Sequence, residues 1–384
     1  MRRLLPLVSA VVIVDTMLYA ALIPLLPHYA DRYGPSKAGV GFLASMYALG
    51  VLVAGVPAGA AASRFGPKRA VLCGLALISL ASLGFAWSSA LEELYVTRFV
   101  QGLGSALGWA GALSWLAGNT ARDRRGAAMG AAIGAAIFGS LLGPVIGAVA
   151  SIVGTHVASS GVAVVGVLLA LWALRFEPAE PDPQRLRSML PSLREPQILG
   201  GLWLMTLPAL LFGLILVLVP LRLAAHGFSA VAIGAVWLAS AAVEMVVSVF
   251  FGHMSDRRGR LAPLRLAIAG SIAVTLALAV ARSPYAVVPL TLAAAITFGG
   301  FYAPALALLS DRAEHIGLAQ GLVFGLMNTC WAVGNALGPA GGGALASALG
   351  DALPYILAAC VCVATLPLLR RLRLDHERPA VLVD

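Results

Sequence analysis

Apolar stretches long enough to cross a lipid bilayer occur twelve times between about residues 4 and 370 of the chain. Hydrophobic residues make up 60% of the sequence and charged residues 11%, and the mean hydropathy is +0.91. A soluble domain has too few interior positions to bury that much apolar surface. The sequence therefore predicts an all-α integral membrane protein with twelve transmembrane helices.

A spaced pattern of four glycines and one proline occurs in the fifth apolar stretch and again, 195 residues later, in the eleventh. The two copies are Gly130, Gly139, Gly143, Pro144 and Gly147, and Gly325, Gly334, Gly338, Pro339 and Gly342. Repetition at one offset indicates a duplicated structure. Inside a membrane, small residues let helices approach closely, and a Gly-Pro pair permits a kink. We therefore expect both helices to present small, bendable faces where two halves of the molecule meet and move.

A second, shorter repeat supports the duplication and divides the chain. It lies after the second and the eighth apolar stretches, at an offset of 193, and consists of Gly59, Arg64 and Gly66, and of Gly252, Arg257 and Gly259. A proline-rich segment between the sixth and seventh stretches is typical of a linker. We predict two pseudo-symmetric six-helix bundles, over residues 1–175 and 197–384, the second with a short cytoplasmic tail. A cytoplasmic linker over residues 176–196 joins them.

The distribution of basic residues predicts the orientation in the membrane. Most of the 26 Lys and Arg residues fall in segments on the side of the N-terminus. The loops on the opposite side hold only Arg32, Lys37, Arg222 and Arg282. By the positive-inside rule, both termini are cytoplasmic, and the membrane is an inner or plasma membrane. The net charge of +9 then belongs to the cytoplasmic rims, and we expect no nucleic-acid partner.

Four segments together resemble the major facilitator superfamily. Residues 252–260 are similar to the second-half copy of its loop signature, and residues 98–104 are similar to its fourth-span motif. Residues 130–147 resemble the fifth-span motif of its drug:proton antiporters, and residues 15–27 resemble the first span of the drug and vesicular-amine branch. The resemblance covers all twelve spans. It implies two bundles that rock around a cavity at the membrane midplane.

The first-half loop departs from the family pattern, because Ser63 stands where the family usually has Asp. If that acid clamps the loop to a neighbouring helix end, the first half lacks one clamp, and Asp256 retains its equivalent in the second half. We assign conformational switching to the two loops and the two Gly-Pro helices. The residues are Gly59, Arg64, Gly66, Asp256, Arg257, Gly259, Gly139, Gly143, Pro144, Gly147, Gly338 and Pro339.

Three ionisable side chains lie within apolar stretches: Asp15 in the first, Arg98 in the fourth and Glu244 in the eighth. A charge at that depth is costly unless it is paired or wetted, so such residues face a partner or a cavity. Desolvation favours a protonated carboxyl group, whereas a nearby guanidinium favours the ionised form. An Asp15 that alternates between these environments would load and release a proton. We assign proton coupling to Asp15 and Arg98.

Polar and aromatic residues at membrane depth are candidates for substrate binding. The assigned residues are Glu244, Gln101, Tyr302, Trp331 and Asn328. Glu244 has no counterpart in the first half and suits a cationic substrate, and the aromatic rings suit flat or cationic compounds through cation–π contacts. Asn335, inside the repeated Gly-Pro pattern, is expected to form a helix–helix hydrogen bond.

Structural alternatives stand beside these assignments. Asp15 and Arg98 would form a fixed packing pair in one alternative, and in another Arg98 would hold backbone carbonyl groups. Glu244 would face a water-filled crevice without a specific role in a third. The aromatic side chains would then serve packing or the membrane interface.

We predict a secondary active transporter that exports small amphipathic or cationic compounds by proton-coupled antiport, as in multidrug efflux. The proton gradient would supply the energy, so no cofactor is expected. The sequence has no phosphate loop, catalytic triad or metal-binding spacing, so we expect neither an enzyme nor a metal site. The expected partners are a small-molecule substrate, protons and the lipid bilayer, and we expect a monomer. The alternatives are a proton-coupled sugar or metabolite transporter on the same scaffold and a non-transporting membrane sensor or scaffold.

Overall fold

The computed structural model of the chain describes residues 4–120, 125–178, 195–316 and 320–376. These residues form α-helices and one 3-10 helix, over Ile23–Leu25, and contain no strand. The α-helices are α1 (Leu4–Ala21), α2 (Leu26–Tyr33), α3 (Lys37–Phe65), α4 (Pro67–Ala86), α5 (Leu91–Gly118), α6 (Arg125–Val153), α7 (Thr155–Leu174), α8 (Pro196–Ala225), α9 (Ala230–Arg258), α10 (Leu261–Val280), α11 (Pro284–Gly299), α12 (Tyr302–His315), α13 (Gln320–Leu349) and α14 (Ala352–His376).

These helices make twelve membrane crossings. The first crossing consists of α1, the 3-10 helix and α2, because Pro24 has no N–H to continue the α-helical ladder. The tenth consists of α11 and α12, which are separated at Gly300 and Phe301. Ten crossings in the described part of the chain qualify by length and hydropathy alone. The glycine-rich helices α5 and α13 complete the set, so the predicted all-α membrane architecture is confirmed.

Successive crossings run in opposite directions, so α1 begins and α14 ends on the same face, called here the inner face. The opposite face, where α3 begins and α13 ends, is the outer face. Helices α1 to α7 form the N-terminal bundle and α8 to α14 the C-terminal bundle, and the apolar core is centred on the long helix α8. The predicted bundle limits lie next to the end of α7 and the start of α8, while residues 179–194 of the predicted linker lie outside the described residues.

The repeated glycines pack within each bundle. A methyl group at Gly143 of α6 would lie 2.4 Å from Cβ of Ala20 in α1, and one at Gly338 of α13 would lie 2.4 Å from the carbonyl oxygen of Leu210 in α8. Equivalent contacts with the same two helices are made by Gly139, Gly147, Gly334 and Gly342. We expected the small faces of α6 and α13 to lie where the two bundles meet. For these six glycines that expectation is wrong. Their missing side chains let the fifth and eleventh spans pack closely on the first span of their own bundle.

A different pair of glycines lies between the bundles, near the outer face. A methyl group at Gly41 of α3 would lie 2.2 Å from the carbonyl oxygen of Pro339 in α13. One at Gly234 of α9 would lie 2.9 Å from the carbonyl oxygen of Pro144 in α6. The two glycines are related by the offset of the loop repeat, and the two prolines by that of the Gly-Pro repeat. The duplication therefore produces two pseudo-equivalent contacts between the bundles, with backbones close enough for Cα–H···O interactions.

The two inner loops that carry the shorter repeat have the same turn. Gly66 follows α3 with φ +95°, and Gly259 follows α9 with φ +81°. Both values lie in the left-handed region that favours glycine. The loop after α3 is anchored by Lys68, whose Nζ donates to the carbonyl oxygens of Leu174 at 3.0 Å and Phe176 at 2.5 Å, at the end of α7. A cation at these carbonyl groups also complements the helix dipole.

The corresponding C-terminal loop is anchored by carboxylates. Arg260 donates through Nε to Asp311 of α12 at 2.9 Å, and it also forms an ion pair with Asp256. The hydrogen bond from Arg260 to Asp311 raises the pKa of the guanidinium above its ordinary value. Asp256 thus pairs within its own loop, while the exposed side chains of Arg64 and Arg257 lie at the inner face. The two loops therefore have the same backbone turn, but carbonyl groups anchor the first and carboxylates anchor the second.

Candidate functional site

The carboxylate of Asp15 lies among three hydrogen-bond donors in the middle of the N-terminal bundle. Tyr47 Oη donates to Oδ1 at 2.7 Å, and Ser105 Oγ and Trp109 Nε1 donate to Oδ2 at 2.9 and 2.7 Å. Asp15 is only 5% exposed. The three donors replace the water that an ionised carboxylate loses on burial. The two hydroxyl groups can also accept a hydrogen bond, so the site suits a protonated carboxyl group as well.

Arg98 of α5 stacks on the ring of Tyr47 and makes no direct ion pair with Asp15 in the described contacts. Its guanidinium carbon lies 4.9 Å from the ring centroid. Nη1 donates to Gln101 Oε1 at 3.0 Å and to the carbonyl oxygen of Leu18 at 3.5 Å. The side chain is 2% exposed, and its Nε and Nη2 have no acceptor among the described residues. The fixed Asp15–Arg98 packing pair is therefore not formed in this conformation, and Tyr47 lies between the two charges.

The polar residues of α5 share one side of the helix. Arg98, Gln101, Ser105 and Trp109 are three or four positions apart, which places them on a single face. Gln101 also donates through Nε2 to Ser82 of α4 at 3.1 Å and is 1% exposed. The structure thus places Gln101 in the packing around Arg98, with both ends of its amide bonded to protein. The same spacing would have placed Ser105 and Trp109 on the face of Arg98, although neither was assigned from the sequence.

Glu244 of α9 is the carboxylate at membrane depth in the C-terminal bundle. It is half-buried, and no hydrogen-bond or ion-pair partner is found for it in the described part of the chain. Its side chain lies against Gly299, where a methyl group would be 2.6 Å from Cγ. Tyr302 follows Gly299 by three positions, and its ring is stacked with that of Phe212, with the centroids 6.4 Å apart. A carboxylate without a partner beside aromatic rings suits a cationic ligand.

Trp331 and Asn335 of α13 meet Tyr19 of α1 across the interface between the bundles. Tyr19 Oη donates to Asn335 Oδ1 at 2.7 Å, and Asn335 Nδ2 donates to the carbonyl oxygen of Trp331 at 3.1 Å. The rings of Tyr19 and Trp331 pack edge to face with centroids 4.9 Å apart. The helix–helix hydrogen bond predicted for Asn335 is therefore confirmed, and it joins the two bundles. Asn328 lies two turns nearer the inner face and is half-buried.

Further contacts between the bundles continue from this level to the outer face. Ser45 Oγ donates to the carbonyl oxygen of Ala336 at 2.8 Å, and the backbone N–H of Ala38 donates to Ser347 Oγ at 2.9 Å. At the outer end, Lys37 of α3 forms an ion pair with Asp351, which precedes α14. Together these contacts close the outer face.

The inner face is organised differently. The ion pair between Arg312 and Glu195 joins α12 to the start of α8, and, like the ion pairs of Arg260, it lies within the C-terminal bundle. In the inner half of α3, methyl groups at Gly55 or Gly59 would meet no heavy atom of the described residues within 4 Å. The tight cross-bundle packing at Gly41 is therefore confined to the outer half of the same helix.

The sequence matches the family model of the Major Facilitator Superfamily over residues 8–324. The chain belongs to this superfamily. It is accordingly a multi-pass membrane transporter of small molecules and not an enzyme.

Several relatives of known name or structure span nearly the whole chain. Multidrug resistance protein 2 of Bacillus subtilis (strain 168) is 24% identical over 364 residues, which cover 90% of this chain and 89% of the relative. A bacterial homologue of the human lysosomal transporter Spinster, in an inward-facing and unoccupied conformation, has a TM-score of 0.79 at 15% identity, over 98% of each chain. The xylose transporter XylE from E. coli, partially occluded and inward-open, has a TM-score of 0.74 at 13% identity, over 96% of each chain. These structural likenesses establish the fold.

Tyr19 and Tyr47 are two interior residues whose contacts the sequence did not predict. Tyr47 lies in α3 among Ala, Leu and Met, and a tyrosine in an apolar span is usually a packing or interface residue. Tyr19 lies in the segment that resembles the first span of the superfamily. Nothing in either pattern indicates a hydroxyl group that bonds to Asp15 or to the opposite bundle.

Proposed function

We propose that this transporter is a proton-coupled antiporter that exports small amphipathic or cationic compounds across an inner or plasma membrane. Both termini are cytoplasmic in this proposal, so the inner face is the cytoplasmic face. The protein acts as a monomer, and the proton gradient is its energy source, without a cofactor. The proposal rests chiefly on one observation: Asp15 is buried at the middle of the N-terminal bundle among three hydrogen-bond donors.

The environment of Asp15 supports proton exchange. A carboxylate at membrane depth tends to belong to an ion or proton pathway, because its charge is costly there. Tyr47 and Ser105 can reverse their hydrogen bonds when the carboxyl group gains a proton, so both forms are satisfied in one geometry. Arg98 lies close enough to stabilise the ionised form through the Tyr47 ring. Asp15 and Arg98 therefore keep the proton-coupling role assigned to them from the sequence.

Glu244 supports recognition of a cation. Its carboxylate has no protein partner in the described residues, so a bound positive charge would supply one. The stacked rings of Tyr302 and Phe212 lie near it, because Tyr302 follows Gly299, which contacts Glu244, by three positions. Trp331 and Asn328 lie on α13 of the same bundle. Rings and one carboxylate together favour an amphipathic cation over a neutral polar solute. The likeness to a multidrug resistance protein is in line with this substrate class.

The transport cycle follows from the two sites and the closed outer face. With the outer face closed, a substrate cation from the cytoplasm binds beside Glu244. When the outer face opens, a proton from outside binds Asp15 and the substrate leaves outward. Closure of the outer face then carries the proton inward, where its release resets the protein. Each step is a shift between two conformations that the ligands favour differently.

Proteoliposomes with an acidic lumen test this proposal. With the membrane potential clamped by potassium and valinomycin, protons that leave the lumen should drive accumulation of external tetraphenylphosphonium. Protein-free liposomes and the Asp15→Asn variant should show no gradient-driven accumulation. Accumulation that instead requires an acidic exterior would establish symport and contradict the proposal.

The same vesicles test the alternative sugar or metabolite transporter. Xylose is a suitable neutral probe, since a protein of the same fold transports it. We expect no accumulation of xylose with either direction of the pH gradient. Gradient-driven xylose transport without transport of tetraphenylphosphonium would favour the alternative.

A further inference from the structure

We propose that Tyr47 is the positioning residue that transmits the protonation state of Asp15 to the contact between the two bundles. The inference rests on the proposed proton coupling at Asp15 and assigns a mechanism to it. Tyr47 touches the proton site, the buried cation and the opposite bundle at the same time.

The contacts of Tyr47 support this role. Its hydroxyl group donates to Asp15, and its ring lies against the Arg98 guanidinium. On another side, the ring meets that of Tyr19 with centroids 5.3 Å apart, and it belongs to a buried cluster with Ala332 of α13. Tyr47 is 1% exposed, so a change at any of these neighbours has to be accommodated by the others.

Hydrogen bonding gives the physical link between Asp15 and Arg98. When Asp15 is ionised, the Tyr47 hydroxyl group donates to it, which polarises the phenol and makes its ring a better partner for a cation. When Asp15 gains a proton, the carboxyl group becomes a donor and this polarisation is lost. Arg98 then holds the ring less strongly, and its Nε and Nη2, which have no acceptor among the described residues, favour another acceptor. The ring of Tyr47 is left to pack on Tyr19 and the opposite bundle.

Other groups around Asp15 do not provide this link. The charged or titratable groups that face it are Tyr47 of α3 and Arg98 of α5, together with the neutral donors Ser105 and Trp109 of α5. Helix α6, which packs on α1 through three glycines, holds a titratable residue only at its inner end, in Arg125, and α7 only at its outer end, in His156. Ser105 and Trp109 bond the second carboxylate oxygen, and their described contacts do not include α13.

Closure of the outer face can be followed by disulfide cross-linking. Ala38→Cys and Ser347→Cys place thiols where the two bundles meet, because the backbone of one residue bonds the side chain of the other. The full-length chain would carry this pair after replacement of its four native cysteines, Cys73, Cys330, Cys360 and Cys362, by serine. Cross-link yield is then measured against pH in proteoliposomes, with a brief pulse of oxidant at each pH.

Each variant has its own expected pH profile. Because closure buries Asp15, the yield should rise as the pH falls through one transition, and Asp15→Asn should remove the transition. Tyr47→Phe should also remove it, while leaving the ring in place. Trp109→Phe is the matched control: it removes an equally short donor to Asp15, so the transition should keep its amplitude and move to higher pH. Tyr19→Phe leaves every donor to Asp15 intact and should reduce the amplitude.

The outcomes separate this inference from the proposed function. A Tyr47→Phe profile that keeps the wild-type amplitude and only shifts, as expected for Trp109→Phe, would overturn the role of Tyr47 alone. An unchanged amplitude in Tyr19→Phe would count against the path to the opposite bundle. A parent protein without any pH transition, or an Asp15→Asn variant that retains it, would overturn proton coupling at Asp15 and this inference with it.

Discussion

The two bundles each place one carboxylate at membrane depth, and the surroundings of these carboxylates are opposite. In the N-terminal bundle, Asp15 accepts three hydrogen bonds and lies one ring away from Arg98. In the C-terminal bundle, Glu244 packs on Gly299 and has no hydrogen-bond or ion-pair partner among the described residues. A carboxylate with internal donors can be stable in either protonation state, whereas one without donors needs a ligand or water. We propose that duplication gave two similar frameworks, of which the N-terminal one serves as the proton site and the C-terminal one as the substrate site.

The frameworks themselves are closely matched. Gly41 contacts Pro339 where α3 meets α13, and Gly234 contacts Pro144 where α9 meets α6. These are backbone contacts, so they depend on small residues and helix position and not on side-chain chemistry. In the proposed function, the different roles of the two bundles therefore depend on a few polar side chains on a repeated backbone.

Asp15→Asn should have the largest effect, and it separates proton coupling from substrate binding. We expect it to lose transport driven by a pH gradient, because Asn cannot bind and release a proton, and to retain exchange of labelled for unlabelled tetraphenylphosphonium. Counterflow in proteoliposomes measures the second activity. Asp31→Asn, at the exposed outer end of α2, is the control and should behave as wild type. Loss of counterflow in Asp15→Asn would place Asp15 in the substrate site as well and break the comparison.

Gly41→Ala should have the second-largest effect, and it tests the pseudo-equivalent backbone contacts between the bundles. The added methyl group would overlap the carbonyl oxygen of Pro339, and overpacking of this kind costs about 1–3 kcal/mol. The closed outer face should lose population by about tenfold, measured by the Ala38→Cys/Ser347→Cys cross-link. Gly234→Ala should act in the same direction and more weakly, since its contact is longer. The methyl group of Gly55→Ala would meet no heavy atom of the described residues within 4 Å, so this variant should have no effect; an equal loss there would refute the packing explanation.

Glu244→Gln tests whether the carboxylate of the C-terminal bundle binds the substrate cation. Removing the charge should weaken binding of tetraphenylphosphonium by about tenfold, or ~1.4 kcal/mol, while the pH dependence of transport remains. Isothermal titration calorimetry on the purified protein gives the affinity. The matched control is Glu314→Gln, an exposed carboxylate at the inner end of α12. Unchanged affinity in Glu244→Gln, or loss of pH coupling, would remove the distinction between the two carboxylates.

The inner loops should give the smallest effect. Arg260→Gln removes partly exposed ion pairs with Asp256 and Asp311, which are worth about 0.2–1 kcal/mol each. Thermal unfolding in detergent should show a small loss of stability at low salt that shrinks at high salt. Lys68→Gln removes hydrogen bonds to neutral carbonyl groups, so its effect should depend less on salt. Equal salt dependence in the two variants would mean that the loops are held in the same way.

Much of the fold could be predicted from the sequence, because its signals are periodic and local. Long apolar stretches identify the crossings, and the offsets of Gly66 to Gly259 and of Pro144 to Pro339 identify the duplication. The packing partners of the repeated glycines could not be predicted in this way. A small residue permits close approach, but it carries no information on which helix approaches, and the expected bundle interface proved to be packing within each bundle.

The candidate site was predicted only in part, for a related reason. Asp15, Arg98 and Glu244 were identified because a charge in an apolar stretch requires an explanation. The cost of burial does not specify the partner, however, and Tyr47 lies 32 positions from Asp15 on a different helix. Tertiary packing brings that hydroxyl group between the two charges. The spacing of Ser105 and Trp109 from Arg98 on α5 is a local signal for part of this environment, but neither residue was assigned to the site from the sequence.

Proton release on substrate binding tests the central claim most directly. Tetraphenylphosphonium carries no titratable proton, so any acidification of a weakly buffered solution on mixing has to come from the protein. We predict that the purified wild-type protein releases a proton on binding tetraphenylphosphonium, and that Asp15→Asn binds the same cation without release. Binding to the wild-type protein without acidification, or equal release from the Asp15→Asn variant, would contradict proton-coupled antiport through Asp15.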